Sequence, residues 1–85
     1  MTKLWRSGPP LAVLADDNGA PQSFEWHGDV HHTNTICNSW RVHSDWWKSS
    51  IIWRDYYKIE TTDGVLCIIY HDLVTDAWHL AQIYD

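Results

Sequence analysis

Six histidines, two cysteines and eleven carboxylates in 85 residues could supply a metal site or an acid–base pair, so their spacing is the first question. His27, His31 and His32 gather around one turn signal, Gly28-Asp29. Zinc sites usually take ligands in close pairs, such as Cys-x2-Cys with a second pair downstream, and this chain has none. Adjacent His31 and His32 would point to opposite faces of an extended strand, so only one of them could readily join His27. The three are weak metal candidates, and no cofactor is expected. A nucleophilic mechanism needs a Ser, Cys or Thr beside an oriented base, announced by a local motif. No Gly-x-Ser-x-Gly is present, no Gly-rich phosphate loop precedes a helix, and the chain has four glycines in all. The paired carboxylates Asp16-Asp17 sit at a turn, where Asp is favoured for local hydrogen bonding. The expectation is a protein that is not an enzyme. A metal-dependent hydrolase built on His27, His31 and His32 is the remaining catalytic alternative.

Binding chemistry is better represented. Seven Trp, four Tyr and one Phe crowd a short chain. Many of them fall in one stretch with Arg: Trp40-Arg41-Val42, Trp46-Trp47, Trp53-Arg54-Asp55-Tyr56-Tyr57 and Tyr70-His71-Asp72. Trp, Tyr and Arg dominate binding hot spots because they join large contact area to planar hydrogen bonding. The same residues also suit a domain too small for an aliphatic core, with indoles filling the interior and Arg54 paired to Asp72 or Asp55. For most of these side chains the core role is the simpler account. Trp46 and Trp47 differ, because two adjacent indoles in a connection cannot both face inward. The candidate partner-binding residues are Trp46, Trp47, Arg54, Tyr56 and Arg41.

Charge narrows the partner. The net charge is −5, and three Lys and three Arg are a poor match to a polyphosphate, so binding to duplex DNA is disfavoured. Arg41, Lys48, Arg54 and Lys58 do share one central segment, but solvated counter-charges explain them more simply. A protein partner is expected. The alternative is single-stranded nucleic acid stacked on exposed Trp and Tyr of a small barrel. No run approaches the roughly 18 apolar residues of a membrane span, and residues 1–6 lack the apolar core of a secretory signal. A cytoplasmic protein is expected. Cys37 and Cys67 each lie in apolar or strand-like runs where a buried free thiol is commoner than a bridge.

The elements that must position these residues read as strands. β-branched and aromatic residues come in short runs between turn signals, and no long run has a 3.6-residue apolar period. Strands are expected over 11–15, 23–27, 30–42, 51–62, 65–72 and 77–84, the third carrying a bulge or running unusually long. In its last half Ile36, Trp40 and Val42 share one parity. Asn18-Gly19 should close a tight hairpin and Asp63-Gly64 the strongest one. If Thr62 opposes Val65, then Tyr57 opposes Tyr70, Ile59 opposes Ile68, and Leu66 shares their face. The strand 65–70 is apolar on both parities and should be covered on both sides. Residues 43–50 break the alternation and read as a connection, with at most one helical turn starting at Ser44 or Asp45. The whole is all-β: about six strands in a mostly antiparallel meander, forming a small twisted sheet or partly open barrel. Residues 1–8 read as a tail and 9–85 as a single domain.

The pattern from Trp40 onward, with Ile52-Trp53-Arg54-Asp55-Tyr56-Tyr57, Asp63-Gly64, Tyr70-His71-Asp72-Leu73 and Trp78-His79-Leu80, resembles an uncharacterised small bacterial domain. That domain occurs at the C-terminus of ImuB-like proteins, non-catalytic relatives of Y-family DNA polymerases, and as short stand-alone proteins. The resemblance covers residues 36–85 closely. Residues 9–32 fit more loosely, through a Pro-led strand and Phe24-Glu25-Trp26-His27-Gly28. It implies a non-enzymatic accessory role near bacterial mutagenesis or DNA repair, with protein partners, and carries over no catalytic residues. This chain resembles the stand-alone form.

Overall fold

A computed structural model describes residues 3–4, 8–44 and 51–84. Seven strands follow in chain order: β1 Lys3–Leu4, β2 Pro10–Ala15, β3 Pro21–Trp26, β4 Asp29–Ser44, β5 Ile52–Thr61, β6 Leu66–Asp72 and β7 Ala77–Tyr84. Every pairing is antiparallel. Strands β2 to β7 pair in sequence order, and β7 returns to β2 through Pro10↔His79 and Leu11↔Trp78, so six strands close into a small barrel. β1 adds to β7 beyond that seam, through Lys3↔Ile83 and Leu4↔Gln82. Among the described residues there is no helix, and none therefore is long and apolar enough to cross a membrane.

The seam depends on a close crossing of two backbones. Pro9 accepts a hydrogen bond from the Leu80 amide at 3.0 Å, and Gly8 lies so near that a Cβ there would fall 1.5 Å from the Leu80 carbonyl oxygen. Only glycine leaves room for that approach. Opposite, Ala81 is an extra residue in β7, since Ile68 pairs with Gln82 and Ile69 with Leu80. The bulge turns the strand around the barrel wall.

The core is a short stack of inward residues from five strands: Leu11, Phe24, Ile59, Cys67, Ile69 and Leu80. Val13, Trp26, Tyr57, Val65, Trp78 and Ile83 pack around it. Full burial of one such aliphatic or aromatic side chain is worth about 1.5–3 kcal/mol, a large share of the stability open to so small a domain. The last strand, whose register the sequence leaves open, contributes Leu80 to the centre and Trp78 to its edge.

Strand positions follow the sequence closely, but the hairpin registers depart from it. Thr61, not Thr62, is the last paired residue of the Asp63-Gly64 hairpin: Thr61 N–H donates to Val65 O at 2.8 Å and Gly64 N–H to Thr61 O at 3.0 Å. The loop therefore has three residues, with Gly64 at φ 86° supplying the left-handed position that re-aims the chain. Thr61 locks it, its hydroxyl accepting from Val65 N–H at 2.9 Å and donating to the Asp63 carboxylate. Tyr56 consequently opposes Tyr70, Tyr57 opposes Ile69 and Ile59 opposes Cys67, one residue away from the expected pairing. A one-residue slip exchanges faces, so Cys67 and Ile69 fill the interior while Leu66, Ile68 and Tyr70 turn outward. Covering on both sides holds nonetheless: Tyr70, on the outer face, is 2% exposed.

The Asp16–Ala20 loop is built the same way, with Gly19 at φ 84° and Asn18 outside the positive-φ region, so Asn-Gly does not form the two-residue turn expected of it. That turn belongs to His27-Gly28, at φ 51° and 82°. Strand β4 carries two bulges, at Asn34 and Cys37. The second puts Ile36 opposite Ile59 but Trp40 and Val42 opposite Tyr56 and Arg54, so residues sharing a parity in the sequence sit on opposite faces. It also leaves Cys37 exposed, against the expectation of two buried thiols; both cysteines are free. Ser44 ends β4, paired with Ile52. The expected helical turn therefore does not start at Ser44, and the alternative start at Asp45, with Trp46, Trp47 and Lys48, lies outside the described residues.

Candidate interaction surface

The three-residue loop at 62–64, together with the bulges at Cys37 and Ala81, places four rings in one row across four strands. Trp40 on β4 opposes Tyr56 on β5, Tyr56 opposes Tyr70 on β6, and Tyr70 opposes His79 on β7. Trp40 and Tyr56 are parallel within 1° at 5.4 Å between centroids, Tyr56 and Tyr70 tilt by 39° at 5.1 Å, and Tyr70 stacks on His79 at 5.0 Å. His79 is anchored in turn, its Nδ1–H donating to the Gly8 carbonyl at 3.0 Å. Cross-strand aromatic pairs of this kind each add about 0.2–1 kcal/mol beyond an alanine pair.

Arg54 clamps the row. Its guanidinium lies 4.4 Å from the centre of the Tyr70 ring and donates to the Tyr56 hydroxyl at 3.2 Å. Burial pushes the Tyr70 phenol above its ordinary pKa, and the nearby Arg54 charge partly offsets that rise. The exposed end of the row is Trp40, at 38%, beside Val42 at 37% and Ile52 at 40%. A rigidly held, partly open indole next to aliphatic side chains is hot-spot chemistry. Lys58, on the same outer face, reaches the Tyr84 ring at 5.3 Å.

The next row, on the opposite face, is polar. Arg41, Asp55, His71 and Trp78 oppose one another in sequence across β4 to β7. Arg41 grips Asp55 with two hydrogen bonds, at 2.6 and 3.0 Å, and this holds the carboxyl below its usual range despite partial burial. His71 stacks on Trp78 at 4.5 Å and meets Asp76 at 2.7 Å. Ser39, Arg41, Asp55 and Tyr57 line a shallow depression on this side, floored by β4 and β5.

Of the residues singled out from sequence, Arg54 and Tyr56 stand together in the aromatic row. Arg41 is on the other face, and Arg41 rather than Arg54 is the partner of Asp55. Trp46 and Trp47 lie outside the described residues. Trp40, Tyr70 and His79 escape the sequence reading as a group, because only the observed register aligns them. Gly64 at the fourth position of the Thr61–Gly64 turn is the signal that could have aligned Tyr56 with Tyr70, while the bulges that align Trp40 and His79 carry none.

The histidine cluster does not assemble. His27 stacks on its neighbour Trp26 at 4.2 Å, His31 turns to Asp63 at 3.0 Å and stacks on Phe24, and His32 is exposed on the other side of β4. Among the described residues no three His, Cys, Asp or Glu side chains are grouped so as to hold a metal ion.

A small closed β-barrel with a clamped aromatic row on one outer face is the class of protein these features define. Residues 9–85 match the family model of DUF6504, a domain of unknown function, and the chain belongs to that family. No curated protein and no solved structure matches it.

Proposed function

We propose that this domain is a non-enzymatic protein-interaction module that docks a partner on the outer face around Trp40, Arg54 and Tyr56. The observation that carries this reading is the row from Trp40 to His79. It fixes an indole that is 38% exposed in a single orientation, so little side-chain entropy is lost when a partner covers it. Trp46 and Trp47, in the segment of sequence between β4 and β5, remain candidate contact residues on their residue type. The resemblance to the C-terminal domain of ImuB-like proteins supports a cytoplasmic accessory role in bacterial mutagenesis or DNA repair.

The test is affinity capture from a bacterial lysate with the immobilised protein. A reproducible partner should be retained by wild type and lost from Trp40→Ala and from the Trp46→Ala/Trp47→Ala double variant, each with an unchanged circular dichroism spectrum. Partners that persist on all of these folded variants would refute the reading. A second reading, single-stranded nucleic acid, is favoured by the same stacked rings lying beside Arg54 and Lys58. Quenching of tryptophan fluorescence by an oligonucleotide at low salt, reversed at high salt, supports it. No response at low salt removes it.

A further inference from the structure

Strand β4 is paired on one edge by β3 over Asp29 to His32 and on the other by β5 from Thr33 to Ser44. Among the described residues nothing pairs with the β3-facing edge beyond His32, and residues 34–43 are all exposed. Free strand edges offer unpaired N–H and C=O groups to another extended chain, and most proteins blunt them with bulges, Pro or Lys. The upstream part of β4 is blunted, by the bulges at Asn34 and Cys37. From Asn38 to Ser44 there is no bulge, no Pro and no Lys. The single cation there, Arg41, is neutralised by Asp55.

We propose that this edge pairs with the same edge of a second copy, antiparallel about a two-fold axis through Trp40. Charge and regularity select that register. Centring on Arg41 would set two guanidinium groups face to face, and centring on Ser39 would bring the bulged Cys37 against Arg41 only two residues from the axis, whereas centring on Trp40 keeps Asn38 to Val42 in regular register before Cys37 meets His43. Centring on Trp40 puts Arg41 opposite Ser39 of the other copy and Asn38 opposite Val42, with no like charges opposed. It also sets Trp40 against Trp40, so the two aromatic rows join into one that runs from His79 of one copy to His79 of the other. Val42, 37% exposed, lies diagonal to Trp40 of the other copy. Such a short strand pair is at the small end of specific interfaces, below about 1,200 Å² in total. The dimer is therefore weak and forms only at high protein concentration.

Sedimentation velocity on the full chain tests this, with mass rising from 10.0 kDa toward twice that value between low and several-hundred-micromolar concentration. Trp40→Lys, which places two ammonium groups on the axis, should remain monomeric throughout. A second measurement stands apart from the fold of that variant. In a Cys37→Ser background, Ser39→Cys mixed with Arg41→Cys should form a disulfide-linked heterodimer faster than either protein links to itself. A wild-type chain that stays monomeric overturns the proposal and leaves the edge to a strand from another protein. A dimer that survives Trp40→Lys without the mixed disulfide overturns it too, by locating association elsewhere. Neither readout depends on capture of a lysate partner, so the interaction reading above stands or falls separately.

Discussion

Two regions of one sheet have been finished to different standards. Where β5, β6 and β7 wrap the interior, Ile59, Cys67, Ile69 and Leu80 are 0% exposed. A few residues further along, on the β4–β5 ribbon, Trp40, Val42, Ile52 and Trp53 keep 37–40% of their surface in contact with solvent. Both regions are strongly apolar and β-prone, so composition does not separate them. Closure does. The interior residues face strands on the opposite wall of the barrel, whereas β3 leaves β4 after His32 and nothing described replaces it. The surface left open on that ribbon contributes less to the monomer than the barrel interior does, which makes it available for association.

The contrast is sharpest in the two thiols. Burial pushes Cys67 up to about 12, while Cys37 sits exposed at its bulge. Burial thus keeps Cys67 protonated at pH 8 and also shields it from a reagent in solution. Titration of native protein with an aromatic disulfide reagent should therefore release one equivalent quickly and the second only on denaturation. Two fast equivalents would place Cys67 outside the barrel interior. Truncation should show the same division. Leu80→Ala is expected to cost about 3 kcal/mol in urea unfolding, against about 1 kcal/mol for Trp40→Ala, whose stacking on Tyr56 is its main intramolecular contact. Equal losses would mean that the ribbon is as much a part of the core as the barrel wall. Gly8→Ala probes the seam, since the added methyl must push against the Leu80 carbonyl, and a loss of about 2 kcal/mol is expected.

How far each region was legible follows from the same geometry. The all-β class, the barrel alternative and the final strand 77–84 come directly from alternation and turn residues, because those depend on period and local chemistry. Registers depend on whether Asp63-Gly64 closes a two- or a three-residue loop, and both loops accept that dipeptide. Cys37 shows the second source of error. A bulge reverses the parity of everything after it, and no residue type at 37 announces one. The aromatic row needed both facts, which is why Arg54 and Tyr56 were legible as candidates and their alignment with Trp40, Tyr70 and His79 was not.

The smallest expected effect concerns the polar row behind the aromatic one. Hydrogen bonds from Arg41 depress the pKa of Asp55, so the folded protein holds this proton more weakly than the unfolded chain does. The resulting stability is fully present above the ordinary carboxylate pKa of about 3.9 and is lost as pH falls through the lower folded value. Because Arg41 is solvent-exposed, the pair is screened, and Asp55→Asn should lower Tm by no more than a few degrees at pH 7. The gap between wild type and Asp55→Asn should narrow as pH falls below 4 and be smaller at high salt. A gap that stays constant from pH 7 to pH 3 would show that Asp55 acts there through packing, and that the Arg41–Asp55 charge pair contributes nothing to holding the ribbon together.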